Sequence, residues 1–107
     1  MLPKKNRAVT KDVEKVFKDG IFLNSSNLSF RYIKKGNSVP RISFLAPKSV
    51  AKTAVRRNFL RRLGYKLLKE HFPLSPVGVV GVFVFKKYQE DALILTNEIK
   101  NILSKIN

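Results

Sequence analysis

Arg57, Asn58, Arg61, Arg62, Tyr65 and Lys69 follow one another at spacings that gather them on one side of a helix. At about 100° per residue, Arg61 falls about 40° from Arg57, Asn58 about 100° and Arg62 about 140°, with Tyr65 and Lys69 inside the same sector. Leu60, Leu63 and Leu67 cluster on another side as a core stripe. A guanidinium is a planar fork of donors that matches phosphate oxygens, and an asparagine can donate to and accept from a sugar hydroxyl or a base edge. A second set joins rings to cations. Phe17, Phe22 and Tyr32, with Lys11, Lys15 and Arg31 close in sequence, are the materials of a groove that stacks single-stranded bases. Tyr32 is favoured for that platform because its hydroxyl suits a wet edge, whereas Val13 and Val16 share the helical face of Phe17. Lys86, after the last expected strand, would sit at the mouth. Chemistry by protein groups is much less visible. It needs a nucleophile beside a base, or clustered carboxylates for metals. The seven acids are scattered, and Glu90 and Asp91 read as a charged first turn of a helix. His71, the single histidine, reads as a surface residue near a helix C-terminus. With no cysteine there is no disulfide, thiolate metal site or Cys nucleophile.

The charge balance points the same way. Twenty-two Lys+Arg against 7 Asp+Glu give a formal net charge of +15 in 107 residues. Between Asp19 and Glu70 there is no acidic residue, while basic residues run throughout. A domain this cationic repels itself, and a polyanion relieves the repulsion. Heparin-like chains or anionic lipid would satisfy charge alone; the one-sided stretch favours nucleic acid. The length fits one domain over residues 1–107, with residues 1–9 as a basic arm carrying Lys4, Lys5 and Arg7. No run of 18 uncharged apolar residues occurs, and the N-terminus lacks an apolar signal core, so secretion and membrane insertion are not expected.

The elements that must position these groups follow from periodicity. Thr10 is an N-cap candidate for a short helix carrying Val13, Val16 and Phe17 and stopped by Gly20. Phe22 lies on a short strand or lead-in before Asn24-Ser25-Ser26-Asn27. Leu28, Phe30 and Tyr32 alternate with Ser29, Arg31 and Ile33 as a strand, and Arg41–Leu45 forms another. The turn residues Lys35-Gly36-Asn37-Ser38 predict that these two strands form a hairpin. Thr53 caps a long helix from Ala54 to about Phe72, closed off by Pro73 and Pro76. Val77–Phe85 is apolar at every position, the mark of a strand covered on both faces, often with a parallel neighbour. From Gln89 to Ile106 a packing helix carries Ala92, Leu95, Ile99, Ile102, Leu103 and Ile106 on one stripe. The order α-β-β-β-α-β-α reads as a two-layer α/β sandwich with the long helix linking two strands that could lie parallel.

On these residues the sequence resembles a known family. Lys48-Ser49-Val50-Ala51-Lys52-Thr53-Ala54-Val55-Arg56-Arg57-Asn58-Phe59-Leu60-Arg61-Arg62 is similar to the signature of the bacterial ribonuclease P protein subunit. Arg57-Asn58 matches the start of its arginine-asparagine-arginine core, and Arg61-Arg62 the basic pair after it. Phe59 departs, since arginine is usual there; it falls about 200° from Arg57 around the helix. Leu2–Arg7 resembles the family's N-terminal arm. Asp12–Gly20 resembles its first helix, with Val13 in place of an aromatic. Asn27–Tyr32 and Arg41–Ala46 resemble its next strands.

The resemblance implies an α+β fold like the second domain of a small-subunit ribosomal protein, a four-stranded sheet with a left-handed βαβ crossover, where generic crossovers are right-handed in about 98% of cases. It implies the accessory protein of an endoribonuclease whose catalyst is RNA, removing the 5′ leader of precursor tRNA with magnesium held mainly by the RNA. Lys48, Lys52, Arg57, Asn58, Arg61, Arg62, Tyr65, Lys69, Lys4, Lys5 and Arg7 would bind that RNA. Phe17, Phe22, Tyr32, Lys11, Lys15, Arg31 and Lys86 would line the leader cleft. It further implies no catalytic residue and no tightly held metal in the protein, a cytoplasmic location, and a monomer in the holoenzyme without membrane or DNA. The chief rival is a basic ribosomal protein. A DNA-binding regulator fits less well, because the long helix joins two strands rather than following a short partner helix. An amphipathic membrane binder would lack a buried strand.

Overall fold

The computed structural model describes residues 10–36, 39–71 and 78–106, with the side chains of residues 10–12 outside the description. The elements are α1 (Thr10–Asp19), β1 (Ile21–Asn24), β2 (Leu28–Lys34), β3 (Arg41–Leu45), α2 (Ala54–His71), β4 (Val79–Phe85) and α3 (Ala92–Ser104). The basic arm and the 72–77 segment lie outside the described residues.

The strands form one sheet in the order β1-β2-β4-β3. β1 pairs antiparallel with β2, β2 antiparallel with β4, and β3 parallel with β4. The hairpin expected between β2 and β3 does not form. β4 lies between them, and the hairpin is β1–β2. The physical reason is in β4 itself: its apolar side chains on both faces need cover and its backbone needs two neighbours, so it takes a central place. The glycines of the turn region serve that arrangement. Lys35 N–H donates to the Gly78 carbonyl at 2.7 Å, and Gly78 has φ +81° where a side chain would meet the Gly36 carbonyl.

Alternation along the strands divides the core in two. Leu28, Phe30, Tyr32, Ile42, Phe44, Val79, Phe83 and Phe85 pack under α2 and α3 with Leu60, Leu68, Leu95 and Ile99. Val80 and Val82 face the other way and are covered by Val16 of α1, with Val13, Ile33 and Val84 at the margin. Aromatic rings fill the larger layer: Phe44 and Phe83 lie 5.0 Å apart and nearly parallel, and Phe30 stands 4.3 Å from Phe83. Gly81 lets this layer close, because a methyl group there would meet the ring of Phe30 and come 2.9 Å from the Arg31 carbonyl oxygen. Gly81→Ala is expected to destabilise the fold by about 1–3 kcal/mol through overpacking, read as a lowered denaturant midpoint at an unchanged slope.

Helix ends follow local chemistry. Thr53 Oγ1 accepts from Arg56 N–H at 3.2 Å and caps α2. Helix α3 begins at Ala92 rather than at Gln89: Asp91 is its N-cap and accepts from Leu93 and Ile94 N–H at 2.9 and 3.1 Å.

Candidate nucleic-acid interface

Helix α2 covers the aromatic layer with Leu60, Gly64, Leu67 and Leu68 and turns a basic arc away from it. Asn58, Arg61, Arg62, Lys66 and Lys69 are exposed along that arc, and Lys48 and Lys52 are exposed in the loop before it. Arg61 Nη2 donates to Asn58 Oδ1. Arg62, Lys66 and Lys69 have no hydrogen-bond or ion-pair partner among the described residues.

The arc is centred differently from the expectation. Arg57 is only half-exposed; its Nη1 donates to the carbonyls of Ala51 and Lys52, each at 3.1 Å, and so clamps the entry loop. Tyr65, expected among the RNA contacts, is 8% exposed. Its ring meets Phe44 edge-on at 5.2 Å and its hydroxyl accepts from Phe44 N–H at 3.3 Å. Tyr65 lies about 80° from Arg57 and about 60° from Arg62, so angle alone keeps it in the sector; its long side chain instead reaches past the helix edge to Phe44. Lys66 was missed, although it falls about 40° from Arg62. On the recentred arc Phe59 lies about 60° from Arg62. It is 46% exposed, and with Val55, Asn58 and Arg62 it lines a shallow concavity of about 320 Å³.

On the opposite side of the sheet, Phe22 and Arg31 are register partners across β1–β2. The Arg31 guanidinium carbon lies 5.0 Å from the Phe22 ring centroid and 5.1 Å from that of Phe17, so the cation bridges two rings. Arg31 Nη1 also donates to the Phe17 carbonyl at 3.4 Å, near the end of α1. Phe17 and Phe22 remain 38% and 50% exposed. Lys15 is exposed on α1. Lys86 Nζ donates to Asn24 Oδ1 at 2.7 Å and to the Ser25 carbonyl at 2.9 Å, two residues along the Phe22 face of β1. Tyr32, expected as the preferred ring of this cleft, is not there. It is 7% exposed and stacks 5.7 Å from Phe30 in the layer under α2 and α3. Its strand neighbour Arg31 takes the cleft face, as period-2 alternation requires. The side chain of Lys11 and the arm residues Lys4, Lys5 and Arg7 lie outside the described residues.

The carboxylates of the C-terminal half serve the fold. Glu98 on α3 is 9% exposed and accepts from Ser25 Oγ, Asn27 N–H and Asn27 Nδ2, the last two at 2.7 Å, and from Leu28 N–H at 3.2 Å. Burial pushes its carboxyl up, but these hydrogen bonds together outweigh burial and hold it below the ordinary range. Glu90 accepts from the Tyr88 hydroxyl. Among the described residues no group of three His, Asp or Glu could hold a metal ion, and no helix is long and apolar enough to cross a membrane.

A family model for ribonuclease P matches residues 2–107. The chain belongs to the ribonuclease P protein family. Solved structures agree with that membership at the level of fold. The RNase P protein from Thermotoga maritima superposes with a TM-score of 0.77 at 21% identity, over 86% of this chain and 88% of that one. The RNase P protein of Staphylococcus aureus gives 0.78 at 15% identity, over 97% and 95%. A mutant of the Staphylococcus aureus protein with defective mRNA degradation activity gives 0.81 at 16% identity, over 96% and 89%. No curated protein sequence matches the chain. Ribonuclease P proteins belong to an endoribonuclease, and membership implies association with RNase P RNA.

Proposed function

We propose that this chain is the subunit that holds RNase P RNA on the basic arc of α2, with the arm of residues 1–9, and the 5′ leader of precursor tRNA on the Phe17–Arg31–Phe22 face. The RNA, with magnesium ions it holds, performs the hydrolysis that frees the mature tRNA 5′ end. The protein acts in the cytoplasm as one copy per complex. The observation that carries this reading is the separation of the two surfaces. An arc of exposed cations suits the phosphates of a folded RNA, while two half-exposed rings joined by a guanidinium suit the bases of a single strand. They lie on opposite sides of one sheet, so both ligands can be held at once.

The test is leader removal from precursor tRNA by RNase P RNA at low magnesium, with and without the protein; no stimulation overturns the reading. The cleft is tested by a pair of binding constants in the holoenzyme, for precursor and for mature tRNA. Base stacking on an aromatic contributes about 1–3 kcal/mol, so Phe22→Ala should weaken precursor about tenfold and leave mature tRNA unchanged. Equal weakening of both would remove the cleft from this face. Tyr32→Ala, by contrast, should lower stability.

A further inference from the structure

The mouth of α2 carries a concavity that shares Lys52 with the basic interface and is otherwise outside both RNA surfaces. It is about 440 Å³ and is lined by Val50, Ala51, Lys52, Thr53, Arg56 and Tyr88, a size within the range of small-ligand sites. We propose that it binds one unpaired nucleotide of RNA, the base on the Tyr88 ring and the phosphate between Lys52 and Arg56. The inference rests on the reading of the chain as an RNA-binding subunit and adds a base-stacking site to it.

Four features favour that occupant. Tyr88 is 39% exposed, whereas Tyr32 and Tyr65 are buried, so it is the exposed tyrosine of the three the chain contains. Its hydroxyl is held by Glu90 at 3.2 Å, which fixes the ring while leaving it apolar toward the concavity. The Arg56 guanidinium lies over one face of the ring at 5.8 Å from its centroid, a cation–π contact that leaves the other face for a base and holds a charge within reach of its phosphate. The floor is built in advance: Val50 and Ala51 N–H both donate to the Pro47 carbonyl, and Arg57 clamps the Ala51 and Lys52 carbonyls from below. Aromatic ring, fixed floor and two cations are the parts that nucleotide recognition on single strands uses. An acidic peptide would exploit the cations and leave the ring idle.

The experiment uses the full chain labelled with 3-fluorotyrosine, whose three fluorine signals are assigned by the loss of one in Tyr88→Phe. A single-stranded hexa-adenylate is expected to move the Tyr88 signal and leave those of Tyr32 and Tyr65 in place, in the wild type and equally in Phe22→Ala. An abasic chain of the same length should not reproduce the shift; an equal shift overturns base stacking. In parallel, Tyr88→Ala should weaken RNase P RNA binding about fivefold, and Tyr88→Phe should restore it. If the wild type binds that RNA but its Tyr88 signal does not move with hexa-adenylate, or if Tyr88→Ala binds the RNA as tightly as the wild type, the site is wrong and the subunit reading stands. If the wild type does not bind the RNA at all, both fall.

Discussion

Changing Arg61, Arg62, Lys66 and Lys69 together to Ala is expected to weaken binding of RNase P RNA by about a hundred-fold or more at low salt, and to flatten its salt dependence. Each cation that neutralises a phosphate releases a counterion and adds about 0.7–0.9 to the slope of log affinity against log salt, so four contacts should reduce the slope by roughly 3. All four side chains are exposed. Exposed substitutions stay within about ±0.5 kcal/mol each, so folding should hold. Arg57 is left out because its guanidinium is committed to the Ala51 and Lys52 carbonyls; its loss would loosen the entry loop and mix a structural effect with an electrostatic one. The measurement is a salt titration of affinity for the variant and the wild type. Parallel lines would mean that the arc is solvated and that the RNA binds elsewhere.

The elements were legible in the sequence because their periods are clean. The two-faced apolar run of β4 announced both a covered strand and its parallel neighbour β3. Sheet order was less legible. Lys35 to Ser38 reads as a hairpin turn locally, and only the demand of β4 for neighbours on both sides separates β2 from β3. The site shows the same division. Arg31 and Phe22 are nine positions apart and meet because the β1–β2 register pairs them, which the short turn after Asn24 made foreseeable. Tyr32 and Tyr65 differ from expectation for separate reasons: the hydroxyl of Tyr32 suits a wet edge, but alternation puts it on the face opposite Arg31, and Tyr65 has an angle inside the basic sector, but its ring reaches across the helix edge to Phe44. Helical projection gives angles, not an origin. Where Arg57 spends its donors on the loop, the origin shifts toward Arg62, and neither Arg57 nor Phe59 then sits where a sector measured from Arg57 had put it.

Glu98→Ala is expected to cost about 3–5 kcal/mol, a large share of what a small domain has. The carboxylate collects hydrogen bonds from Ser25, Asn27 and Leu28, and its removal leaves buried donors, Leu28 N–H among them, without an acceptor. These donors belong to the β1–β2 turn, so Glu98 ties α3 to the hairpin that presents Phe22 and Asn24. The pH dependence identifies the charge as the source. Burial alone would raise the carboxyl, but the hydrogen bonds from Ser25 and Asn27 prevail and the folded value is lowered. A lowered folded value means that the folded state favours the ionised form. The contribution is therefore complete above the unfolded carboxyl value of about 4.3 and fades as the pH falls below it through the folded value. Glu98→Gln keeps the shape, cannot carry the charge, and turns an amide donor toward donors. Its deficit against wild type should be about 1–3 kcal/mol at pH 7 and should shrink as the wild-type carboxyl protonates in acid. Paired denaturant melts from pH 7 down to the acid limit of the fold would read it; a deficit that stays constant across that range would show that the misplaced amide donor, and not the lost charge, is its source.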